Sequence, residues 1–86
     1  MEFLISRHAE EELLRRSIPR ESLLSVLATP EQRIVQSGGK EIFQSRFTFE
    51  GGKMYLLRAV LAWDKSPPVV ITVYRTSKIE KYWVRQ

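Results

Sequence analysis

His8, Arg58, Tyr74, Arg75, Lys78, Lys81 and Tyr82 are the residues of this 86-residue sequence whose chemistry goes beyond packing. They form an acid–base and electrostatic set that needs no metal. Cleavage of RNA asks for little more: a base takes the proton of a 2′-hydroxyl, cations stabilise the crowded phosphate, and an acid protonates the leaving oxygen. Each residue also has a plainer reading. His8 falls in the first turn of a predicted helix, where the dipole disfavours positive charge, so a neutral ring packing or capping locally is its structural reading. Arg58 is the most unusual charge, because it interrupts an otherwise apolar run and a buried guanidinium must find partners. Tyr55, Trp63 and Trp83 read as core or rim aromatics rather than as platforms for stacked bases.

Several chemistries are not expected. The sequence has no cysteine, hence no disulfide framework, thiolate metal site or cysteine nucleophile. With one histidine and no carboxylate pair at ligand spacing around it, no metal site is expected, and no cofactor. Gly38-Gly39 and Gly51-Gly52 lie between strand-like segments and open no helix, so they read as turns rather than phosphate loops. No serine sits in a nucleophile elbow.

The elements that must position these groups follow from the pattern. Ser6 is a candidate N-cap for a helix over about 7–16, with Ala9, Leu13 and Leu14 on one face and the pairs Glu11–Arg15 and Glu12–Arg16 along its surface. Pro19 suits the first position of a second helix through Leu27, which Thr29-Pro30 ends. Leu23, Leu24 and Leu27 form the stripe of that helix. Leu13, Leu14, Leu23 and Leu27 are expected to cover one face of a sheet, since so short a helical hairpin cannot bury its stripes alone.

From Gln32 the period becomes that of strands: 33–37, 40–49, 53–63 and 69–75, with two-residue turns at the glycine pairs. The expected fold is therefore α+β, two N-terminal helices followed by a four-stranded antiparallel sheet with the helices packed on one face, in a single domain over 1–86. Register decides where Arg58 points. A two-residue turn at Gly51-Gly52 puts it on the face of the phenylalanines, and a three-residue loop reverses this. A five-residue loop at 64–68 sets it opposite Tyr74, the expected arrangement, whereas a four-residue loop sets it opposite Val73.

Charge is unevenly placed. Residues 1–31 hold four basic and six acidic groups, and residues 32–86 hold ten basic and four acidic. A positive second half suits an anionic partner such as RNA, with Arg46, Arg75, Lys81 and Arg85 as candidate nucleic-acid contacts, although a solvated surface accounts for the same charges. No 18-residue apolar window and no basic-then-apolar leader occurs, so a cytoplasmic protein without a membrane partner is expected.

Three stretches carry a family likeness: Ser6-Arg7-His8-Ala9-Glu10 with Arg16-Ser17-Ile18-Pro19, then Leu27-Ala28-Thr29-Pro30-Glu31, then Val70 to Lys78 with Lys81-Tyr82-Trp83. Over nearly its whole length the sequence resembles the small bacterial and archaeal domain-of-unknown-function family 4258. It departs from that family at Ser17, where glycine is common. In layout it is distantly similar to the RelE/ParE-type toxins of toxin–antitoxin systems. The resemblance implies a metal-independent endoribonuclease toxin or toxin-like domain, with RNA or the ribosome and a cognate antitoxin as partners. It singles out His8, Arg58, Tyr74, Lys78 and Tyr82 as catalytic candidates. The other expectations are a non-catalytic module binding nucleic acid or an acidic peptide, and a degenerate member kept for protein association.

Overall fold

The computed structural model describes residues 2–85. Its elements run β1 (Leu4–Ile5), α1 (Arg7–Arg15), α2 (Arg20–Ala28), β2 (Gln32–Gln36), β3 (Lys40–Thr48), a 3-10 turn (Glu50–Gly52), β4 (Met54–Ala62), β5 (Val69–Thr76) and α3 (Ile79–Tyr82). The class is α+β as expected. The sheet differs from expectation: it is mixed and has five strands in the order β1-β5-β4-β3-β2, because Leu4 and Ile5 add a short parallel strand to β5.

Ser6 caps α1 by accepting the Ala9 amide at 3.0 Å. The helix ends in a Schellman motif, with Ser17 N–H donating to the Leu14 carbonyl at 3.2 Å and Ile18 N–H to Leu13 at 2.9 Å. Ser17 holds the left-handed conformation this motif requires, at φ 54°, where glycine would carry no steric penalty. Ile18 folds under the motif into the core. Pro19 is the N-cap of α2 rather than its first residue.

Ala9, Leu13, Ile18, Leu23, Val26 and Leu27 pack on Phe43, Leu57, Ala59, Leu61, Val70 and Val73, so both helices cover one sheet face. Each such large side chain contributes roughly 1.5–3 kcal/mol by leaving water. Leu14 and Leu24 are not core residues; Leu14 is 84% exposed, because the stripe of α1 is narrowed to Ala9 and Leu13. The expected Glu11–Arg15 pair is replaced by Arg7–Glu11 at 3.4 Å, and Glu12 takes both Arg15 and Arg16.

The loops are longer than two residues. Gln36 pairs with Lys40 around Ser37-Gly38-Gly39, and Thr48 pairs with Met54 around residues 49–53. Phe47 therefore faces Tyr55 and Gln44 faces Arg58, which puts Arg58 on the sheet face away from the helices and from Phe43. Ala62 pairs with Val69 across a six-residue connection, and Ile71 is then the extra residue of a β-bulge between the Leu61–Val70 and Val60–Thr72 pairs. That bulge restores the expected register, with Arg58 opposite Tyr74.

Candidate active site

Gln32, Gln44, Arg58 and Tyr74 are successive cross-strand partners on β2, β3, β4 and β5. Leu57 and Ala59 point into the helical core, so Arg58 between them projects from the other face, and the row crosses that face in a line. Gln44 is wholly buried, and Arg58 is 7% exposed. Arg58 Nε donates to Gln44 Oε1 at 2.8 Å, and Nη1 donates to Tyr74 Oη at 2.6 Å. Gln44 Nε2 in turn donates to Gln32 Oε1 at 2.7 Å and to the Tyr82 carbonyl at 3.2 Å.

A buried guanidinium normally has a carboxylate beside it. Among the described residues none lies within ion-pairing distance of Arg58; its neighbours are neutral oxygens and two rings, Tyr82 at 4.2 Å and Tyr74 at 5.8 Å from Cζ to centroid. Its charge is solvated by the protein but not neutralised, and Nη2 has no protein acceptor among the described residues. The Tyr74 oxygen accepts from Arg58, which leaves its own proton free to be donated elsewhere.

The chain after β5 forms a roof over this face. Tyr82 lies over Arg58, and its ring meets Tyr74 edge-on at 6.5 Å. Gln32 clamps the backbone of Val84 from both sides, donating to its carbonyl at 2.7 Å and accepting its amide at 3.1 Å. Trp83 stacks on the Arg46 guanidinium at 4.2 Å.

Three of the five catalytic candidates thus come together: Arg58, Tyr74 and Tyr82. Lys78 stands at the start of α3, where its backbone amide donates to Thr76 Oγ1 at 3.1 Å; the residue is exposed, and its side chain forms no hydrogen bond with the other three. His8 is exposed on α1, in the helical layer, outside the hydrogen-bonded row.

The candidate nucleic-acid contacts separate as well. Arg46 is bound to Glu31, with Nη2 3.0 Å from Oε2, and the hydrogen bonds from its side chain and backbone hold the Glu31 carboxyl below its ordinary value. Arg85 pairs with Glu80 at 3.2 Å, and Lys81 is exposed beside Tyr82. Arg75 faces the helical side of the sheet, between Phe49 and Tyr55. Gln44 and Gln32, which carry the row, have no distinguishing mark in the sequence. A glutamine in an alternating strand reads as solvated, and only its place opposite Arg58 marks it.

Among the described residues there is no group of three or more His, Asp or Glu side chains suited to a metal ion, and no helix is long and apolar enough to cross a membrane. Compared with known protein families, residues 5–75 match the model described as a domain of unknown function, DUF4258. No curated protein and no solved structure matches.

Proposed function

Starting from the fact that this chain belongs to the DUF4258 family, we propose that it is a toxin-like, metal-independent endoribonuclease with Arg58 as its phosphate-binding group. The observation that carries this reading is the Arg58–Tyr74 pair: a buried cation left without a carboxylate, bonded to a hydroxyl whose proton is free. The phosphate is the missing anion. In the reaction the 2′-oxygen attacks phosphorus, the bond to the 5′-oxygen breaks, and a 2′,3′-cyclic phosphate and a 5′-hydroxyl end result.

Arg58 stabilises the charge that grows on the non-bridging oxygens, where a fixed cation in a water-poor site acts most strongly. Tyr74 donates its proton to the departing 5′-oxygen. Tyr82, whose ring lies over Arg58, acts in its phenolate form: its oxygen takes the 2′-hydroxyl proton and becomes the phenol, and exchange with solvent after release restores both tyrosines. Lys78, three residues after Tyr74's neighbour Arg75, adds positive charge from the edge of the site. RNA or the ribosome is the partner class, with an antitoxin protein as the natural counterpart of a toxin. Incubating purified protein with single-stranded RNA, in chelator, and looking for fragments ending in cyclic phosphate tests this directly; intact RNA in the presence of protein-bound RNA refutes cleavage.

One observation favours a second reading, a binding module without chemistry. Arg58 is 7% exposed beneath Tyr82, so a phosphate reaches it only when the roof moves. A binding module predicts RNA affinity that falls steeply with salt and no cleavage. Growth arrest on expression separates the two.

A further inference from the structure

On the opposite face of the sheet from Arg58, one corner holds a second unneutralised arginine. The Arg75 guanidinium lies 4.7 Å from the centroids of both Phe49 and Tyr55, in the angle between two rings that meet edge-on at 5.5 Å, and neither ring cancels its charge. None of its donors has a protein acceptor among the described residues, and no carboxylate is within ion-pairing distance, although Glu50 lines the same cavity. That cavity, about 520 Å³, is bounded by Arg75, Tyr55 and Phe49 on the sheet side and by Ser17 and Ser22 from the helices, with Thr48 at its margin. Its size lies in the range of small-molecule sites.

The chemistry is that of a receptor for a tetrahedral anion. A guanidinium presents parallel N–H donors that match two oxygens of a phosphate, and hydroxyls supply further donors for the rest. Ser17 adds a reason. It occupies the left-handed position of a Schellman motif at φ 54°, where glycine fits better, and it lines the cavity. At this position serine supplies the cavity with a hydroxyl that the glycine common in the family would not.

We propose that this corner binds a phosphate group, with Arg75 gripping two phosphate oxygens and the Ser17 and Ser22 hydroxyls donating to the others. The site is independent of the Arg58 chemistry, because Tyr74 and Arg75 point to opposite faces of β5. The phosphate is either free or carried by a nucleoside. Inorganic phosphate satisfies the fork alone, whereas a nucleoside monophosphate also meets the edges of Phe49 and Tyr55.

Titration of the isotope-labelled protein with inorganic phosphate and with a nucleoside monophosphate, followed by amide NMR against sodium chloride at equal ionic strength, tests this. Saturable shifts at Ser17, Ser22 and Arg75 are expected with phosphate and not with chloride. Additional shifts at Phe49 and Tyr55 and an affinity at least about tenfold higher for the nucleotide identify a nucleoside as the carrier, and equal affinities identify phosphate alone. Arg75→Gln should weaken binding at least about tenfold, while Arg58→Ala leaves it unchanged. Should Arg75→Gln fail to fold, Ser17→Gly carries the test: it should not lower the melting temperature, since glycine suits that backbone, yet it should weaken binding. Shifts equal to those with chloride, binding that survives Arg75→Gln, binding lost in Arg58→Ala, or affinity unchanged in folded Ser17→Gly each overturn the proposal.

Discussion

The Ser6 hydroxyl donates to the carbonyl of Ile71 across 2.9 Å, and Ile71 is the extra residue of the bulge in β5. The same oxygen accepts the Ala9 amide at 3.0 Å, so one side chain starts α1 and holds the bulge that sets Arg58 opposite Tyr74. Ser6→Ala should cost about 1–3 kcal/mol, the sum of a lost cap and a lost bond to the Ile71 carbonyl. Denaturant midpoints measure it. Ser6→Thr should recover most of the loss, and a Ser6→Ala midpoint equal to wild type means that neither bond matters.

Gln44 gives Arg58 Nε its acceptor while donating to Gln32 and to the Tyr82 carbonyl. Gln44→Ala leaves a buried charge with one acceptor fewer, and an expected loss of about 1.5–3 kcal/mol follows. Replacing Arg58 and Gln44 together, as Arg58→Met with Gln44→Leu, should cost less than the sum of the single changes, because no charge is then stranded. Additive losses would show that the two side chains do not support each other.

How far all this could be read from the chain alone differs by element. The cap at Ser6, both helices and the four long strands are written in local pattern, since capping, prolines and alternation act over a few residues. Register is not local. All four glycines sit at positive φ, which either turn length accommodates, and the slip of one residue at each loop is decided by which face must bury Phe43 and Leu57. Leu4–Ile5 pairs with a segment over sixty positions away, and two residues leave no period to detect. Arg58 and Tyr74 were legible as an odd charge and an aromatic strand end, and their pairing was the expected one. Gln44 was not, because its role exists only after the strands are aligned.

Catalysis, if Arg58 binds the phosphate, should respond to its removal far more than the fold does. Arg58→Ala should slow RNA cleavage by about 100-fold or more, and Lys78→Ala, with an exposed ammonium, by less. Chelator should change neither rate. Single-turnover rates on a defined RNA, with circular dichroism of each variant, measure this; equal rates for wild type and folded Arg58→Ala remove Arg58 from the site.

Acid should find a specific weak point in α1. Hydrogen bonds from Arg15 and then Arg16 hold the Glu12 carboxyl at about 2, below its ordinary 4.5. Its folded value is the lower one, so its contribution to stability is present above pH 4.5 and is lost as the pH falls towards 2. Glu12→Gln should therefore flatten the fall in stability across that window, as read from melting temperatures at successive pH values. An unchanged acid profile would assign the fall to other carboxylates.

The roof over Arg58 gives the test that separates binding from chemistry. The family match ends at residue 75, and the segment beyond it is held on the sheet by Gln32, Gln44 and two cation–ring contacts. Deleting residues 79–86 uncovers Arg58 and also Leu56, which is buried on the same face, so stability should drop while the helical core, built without this segment, stays folded. RNA affinity should rise, and its salt dependence should steepen by about one phosphate contact as Arg58 becomes reachable. Cleavage should disappear, because Tyr82 leaves with the roof. Tyr82→Phe in the full chain separates the two roles of that residue: it keeps the ring over Arg58 and should lose cleavage alone. Truncated protein that folds yet binds RNA no better than the full chain would show that RNA does not meet Arg58, and full cleavage by Tyr82→Phe would take the hydroxyl out of the reaction.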